Sequence, residues 1–183
     1  MSTETLAKKL GTTSHLSGLL IKARRLGMET PEALESLAVA RGCWHYKHAE
    51  MVPAPDVSEE QFSNEELAMA LLSPCQLYSP HTIRVGAAML GAIGNDPESL
   101  AWLTVAERCE QQVRYIARAA IGFEPENSFW PHLLALLPDM PEMKDGIMPH
   151  PTRFVSMTGM TRAGTQRVTV WIRPRATLAL AHG

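Results

Sequence analysis

Three dipeptides, Thr30-Pro31, Ser79-Pro80 and Asp96-Pro97, mark helix starts along this chain. In each, a short side-chain oxygen is placed to accept from a free backbone N–H of the first turn. The proline that follows sits where no donor is needed and where its fixed φ suits a helix. Because an apolar-periodic run follows each dipeptide, the chain is committed to helices. Ser63 adds a fourth start, since Glu66 three residues on completes a capping box ahead of LAMALL. Gly11, Gly27, Gly42, Gly94 and Gly122 each follow an apolar-periodic run and read as stops. The pattern predicts about seven helices, over residues 2–10, 14–26, 31–41, 64–72, 80–93, 97–121 and 128–137.

In the longest of these, Leu100, Leu103, Val113, Ile116, Ala117 and Ala120 are expected inside. Glu107, Glu110, Arg114 and Arg118 are expected outside, with Glu110 and Arg114 in the favourable i, i+4 order. The periodicity changes after residue 151. RVTVWIR alternates strictly, Val168, Val170 and Ile172 against Arg167, Thr169, Trp171 and Arg173, and TRFVSMT upstream is a second β-prone run across a glycine-containing turn. The expected fold is therefore mainly α within the α+β class: a multi-helix bundle with a C-terminal antiparallel β-hairpin. Two proline-bearing stretches divide it. Residues 1–51 read as an N-terminal helical subdomain, 52–62 (VPAPDVSEEQF) as an acidic linker, 63–138 as the main bundle, 139–151 as a connector and 152–183 as the basic hairpin and tail.

Charge follows the same division. The formal net charge is −2, but residues 1–145 carry all 19 acids against 12 basic residues (−7), and residues 146–183 carry five arginines and no acid. A basic β element appended to an acidic body calls for an anionic or acidic partner, which includes its own body. With 183 residues and 45% apolar content, the chain can bury a sizeable core. It has no uninterrupted apolar run of membrane-spanning length, and MSTETLAKKL lacks the apolar centre of a secretory signal, so a cytoplasmic setting is expected, without a membrane partner. Three widely spaced cysteines are no disulfide framework.

Three segments are candidate sites. On the hairpin, Arg167 and Arg173 flank Trp171, Arg162 lies in the turn, and Arg153 and Arg175 stand at either end. Arginine forks onto phosphates or carboxylates and tryptophan stacks, so this face suits single-stranded nucleic acid, another anion or an acidic protein surface. The N-terminal segment TLAKKLGTTSHLSGLLIKARRLG has the outline of a helix-turn-helix. Lys8, Lys9, Lys22, Arg24 and Arg25 are its phosphate-facing candidates, whereas Ser17 and Gly18 fit the motif poorly. In GCWHYKHAE, Cys43, His45 and His48 are potential zinc ligands, with Cys75 or His81 to complete a shell, but a second well-spaced ligand pair is missing.

Catalytic signals are weak. Glu107 and Glu110 lie one helical turn apart among arginines that would keep both ionised, and Cys109 reads as a small core residue. No glycine-rich phosphate loop, HExxH or GxSxG occurs, and no cofactor is called for. The sequence thus points to a non-enzymatic interaction or adaptor module, homodimeric or bound to another protein. The alternative is a nucleic-acid-binding regulator using the N-terminal basic helices, the Arg/Trp hairpin face, or both.

Overall fold

The computed structural model describes residues 3–13, 15–43, 46–151 and 153–154. Among these the protein is helical, with eight helices: α1 (Leu6–Leu10), α2 (Gly18–Arg25), α3 (Pro31–Ala40), α4 (Asn64–Leu71), α5 (Pro80–Leu90), α6 (Pro97–Ala106), α7 (Glu110–Phe123) and α8 (Phe129–Leu136). The only β pairing among the described residues is an isolated bridge between Thr5 and Leu77. The expected hairpin at 152–183 lies outside the described residues except for Arg153 and Phe154.

The predicted caps form as the side-chain chemistry requires. Thr30, Ser79 and Asp96 accept from Ala33, Thr82 and Ser99 at the starts of α3, α5 and α6, and Ser63 and Glu66 close a reciprocal capping box on α4. Gly11 ends α1 in the left-handed conformation (φ 72°), which leaves its N–H free to cap carbonyls of that short helix. Gly122, by contrast, lies inside α7, which runs one residue past it.

The predicted helix over 97–121 is two helices. The chain turns at Glu107–Cys109, where Arg108 takes φ 57°, the only non-glycine residue with positive φ among the described residues. The reason is phase. At 3.6 residues per turn, an unbroken helix would carry Ile116 about 160° round from Leu100, and both could not face one core. The break rotates α7, so that Leu100, Val113, Ile116, Ala117 and Ala120 are all fully buried. It also buries two residues expected outside, Glu107 and Arg114.

Helix α4 is the centre of the fold. Every residue from Leu67 to Pro74 is buried, and α2, α3, α5 and α6 pack around this helix. Its most extensive partner is α5, which approaches closely because Gly86 has no side chain: a Cβ there would lie 2.8 Å from Leu72 Cγ and 3.1 Å from Leu71 Cβ. α8 packs against α6 and α7, and its Trp130 is fully buried with Nε1 donating to Glu124 Oε2 at 2.7 Å. Core side chains from Leu6 to Phe154 form one continuous cluster.

The two proline-rich segments are bonded to the helices. Val52 O accepts from Ser36 Oγ at 2.7 Å and Val57 O from Arg41 Nη2 at 3.1 Å, while Phe62 is fully buried. Residues 139–151 strap α7: Gln111 Nε2 donates to Pro141 O, Tyr115 Oη to Pro149 O, and Arg114 pairs with Asp139 at 3.3 Å.

Candidate interaction site

α6 is apolar on more sides than one core can cover. Leu100, Ala101 and Thr104 face inward, while Trp102 and Val105 are left exposed, Trp102 at 71%. An indole exposed to this degree leaves a large apolar surface in water, which is uncommon outside binding surfaces. Trp102 does not stand alone. With Leu103 it lines an open groove of about 480 Å³ between the first turn of α4 and that of α6, and the groove's other walls include Ser63, Glu65, Glu66 and Glu98.

The carboxylates converge for a local reason. Glu65, Glu66 and Glu98 occupy first turns, where anions complement the helix dipole, and the groove brings the two helix starts side by side. Glu66 is engaged twice: its Oε2 accepts from Ser63 N at 2.8 Å, and its Oε1 pairs with Lys22 Nζ at 2.6 Å. Glu98 lies 3.2 Å from His132 Nε2, a pair that is ionic only when the imidazole is protonated. Half-burial pushes the Glu65 carboxyl above its ordinary range, and Asp96, Glu66 and Glu59 add like-charge pressure in the same direction. The groove therefore has an aromatic wall and an excess of negative charge, which suits a cation that can stack.

The N-terminal cations are largely engaged within the chain. Lys8 and Lys9 pair with Glu4 at 3.2 and 3.5 Å, and these two lysines hold the Glu4 carboxyl below its usual value. Lys22 pairs with Glu66, while Arg24 and Arg25 are exposed on the last turn of α2. The outline of a helix-turn-helix does not extend to the packing. α1 is held by the turn after α4, through Leu6 N to Gln76 O, Ala7 N to Pro74 O and Tyr78 N to Glu4 O. Ser17 caps α2, accepting from Leu20 N at 3.1 Å.

Of the zinc candidates, Cys43 points into the core, its thiol 3.5 Å from Met89 Sδ, and burial pushes its pKa up to about 12. His48 is exposed, with its ring 6.4 Å from that of His81, and His45 lies outside the described residues. Among the described residues, no group of three or more His, Cys, Asp or Glu side chains is arranged so that it could hold a metal ion. Cys109 is fully buried, as expected of a core residue, and burial raises its pKa far above the ordinary thiol value. Arg153 is exposed at the end of the described chain, and Arg162, Arg167, Trp171, Arg173 and Arg175 lie outside it.

Sequence reasoning passed over Trp102 because helical periodicity alone leaves its face unassigned. The signal was present in the composition of PESLAWLTVA, which is too apolar for a helix with one buried side. Compared with known proteins, the chain matches no family model, and no curated protein or solved structure shows significant similarity to it. No helix among the described residues is long and apolar enough to cross a membrane.

Proposed function

We propose that the protein is a non-enzymatic interaction module that works as a cytoplasmic homodimer, the arginine-rich C-terminal segment of one copy engaging the Trp102 groove of the other. The observation that carries this reading is the exposed indole set among Glu65, Glu66 and Glu98. Arginine fits such a groove better than lysine does, because its planar guanidinium stacks on an indole while forking onto a carboxylate. Arg167 and Arg173 lie six residues apart in an alternating run, so in an extended chain they share one side. The alternative of a nucleic-acid-binding regulator has less support, since Lys8, Lys9 and Lys22 already pair with acids of the same chain.

Light scattering on the full-length protein at tens of micromolar tests the proposal. A dimer is expected at low salt, weakened at high salt as the pairing is screened. Trp102→Ala, and separately the charge reversals Arg167→Glu with Arg173→Glu, should each yield monomers. A monomeric wild type, or a dimer indifferent to both variants, would refute it. Fluorescence anisotropy with generic DNA is the companion measurement. Tight, steeply salt-dependent binding would move the function to the alternative.

A further inference from the structure

Three side chains far apart in sequence meet below the turn that joins α4 to α5: Cys75 in that turn, His15 in the α1–α2 connection and Glu107 at the end of α6. Cys75 Sγ lies 3.7 Å from His15 Nδ1. The far ring nitrogen, Nε2, lies 4.0 Å from Glu107 Oε2, and it is buried without a hydrogen-bond partner. Glu107 is itself fixed, accepting from Ser17 Oγ at 2.5 Å on Oε2 and from Leu19 N at 3.3 Å on Oε1. Of the three cysteines only Cys75 has exposed surface.

We propose that Cys75 is a nucleophilic thiol that exchanges with small disulfides, with His15 as its proton acceptor and Glu107 as the residue that positions His15. At rest the thiol donates to the carbonyl oxygen of His15 at 2.9 Å, so both acceptors within its reach belong to one residue. Rotation about Cβ–Sγ carries the hydrogen from that oxygen to Nδ1 without displacing a heavy atom. Nδ1 can receive it only as the unprotonated ring nitrogen, and a carboxylate facing Nε2 favours the tautomer with the proton there. This is the order of nucleophile, base and orienting acid that activates thiols generally.

The step balances without a further reactant. Sγ attacks one sulfur of the disulfide, the new S–S bond forms as the old one breaks, and the thiol proton passes through Nδ1 to the departing thiolate. Cys75 is oxidised to a mixed disulfide, the small disulfide is reduced to one free thiol, and His15 ends neutral. Access for the incoming group comes from the partial exposure of Cys75 itself; a cavity of about 350 Å³ lined by Thr13, Pro74 and Arg108 among others lies against the chain neighbours of all three residues, although none of the three lines it. A sulfur electrophile needs no oxyanion-binding donors, which makes it the class that this set of groups can serve.

The test uses the full-length protein and glutathione disulfide, with adducts located by peptide mass spectrometry. The wild type should acquire one adduct, on Cys75. His15→Gln should slow its formation at least about tenfold, and Cys75→Ser should abolish it with Cys43 and Cys109 still unmodified. An unchanged rate in His15→Gln, or first reaction at Cys43 or Cys109 in the wild type, would overturn the proposal. If His15→Gln loosens the fold, nitrogen NMR of His15 in the wild type decides: a proton on Nε2 is expected, and a proton on Nδ1 refutes the mechanism.

Discussion

Gly86→Ala is the smallest change that tests the central packing. The added methyl would sit 2.8 Å from Leu72 Cγ, 2.9 Å from Leu72 Cδ2 and 3.1 Å from Leu71 Cβ, all inside ordinary contact distance. Leu72 is itself fully buried, and its Cγ is the branch point of the side chain, so relief requires a change of rotamer or a shift of α5 against α4. Overpacking of this kind costs about 1–3 kcal/mol. Alanine's better helix propensity returns about 0.5–1 kcal/mol of that. Taken at mid-range, the expected net loss is about 1 kcal/mol, or about 2–4 °C in Tm for a chain of this size. Urea unfolding followed by circular dichroism gives the value, and the double variant Gly86→Ala/Leu72→Ala gives the cause. If the clash is with Leu72, the double variant should be more stable than the sum of the single effects by at least about 0.5 kcal/mol. A Gly86→Ala protein as stable as the wild type, or more so, would refute the close approach of α4 and α5.

Glu35 offers a test by pH. Burial raises its carboxyl above the ordinary value, helped by Glu32 and opposed by the Thr82 hydroxyl, which donates to Glu35 Oε1 at 2.6 Å, and by His48. The folded state therefore holds this proton to higher pH than the unfolded state does. The Glu35 contribution to stability should fall as pH rises from the ordinary glutamate value through the raised one, and Glu35→Gln should remove that component from the urea midpoint measured against pH. An identical pH dependence in the two proteins would show that Glu35 titrates normally. Ser63→Ala removes one half of the capping box on α4 and should cost about 1 kcal/mol by chemical denaturation. A negligible loss would mean that burial of α4 holds the helix start without its cap.

Helix starts were the most legible part of this chain, because a capping hydroxyl or carboxylate, followed by proline at three starts and by a capping-box glutamate at the fourth, acts through neighbours one to three residues away. Thr30, Ser63, Ser79 and Asp96 all behave as that local chemistry requires. The turn at Glu107–Cys109 carries neither glycine nor proline, so punctuation could not reveal it. Phase could have done so, since Leu100 and Ile116 cannot share a face of one straight helix. The burial of Glu107 was beyond local reasoning, because its partners Ser17 and Leu19 lie about ninety positions away. For the same reason Cys75, His15 and Glu107 appear as unrelated residues until the fold brings them together. The groove at Trp102 was half visible: the apolar excess of α6 is written in its sequence, while the carboxylates beside it come from the start of a different helix.

The contact of Glu107 with Ser17 and Leu19 also sets an order of events during synthesis. The start of α2 is completed by a side chain made 90 residues after Ser17. At about 5–20 residues per second, a ribosome takes about 5–18 seconds to cover that interval. Throughout it, the Leu19 N–H and the Ser17 hydroxyl lack their carboxylate acceptor, and His15 lacks the carboxylate that faces its ring. The nascent N-terminus thus waits for the middle of its own chain, and conditions that slow elongation between residues 17 and 107 prolong its exposure to proteases and chaperones.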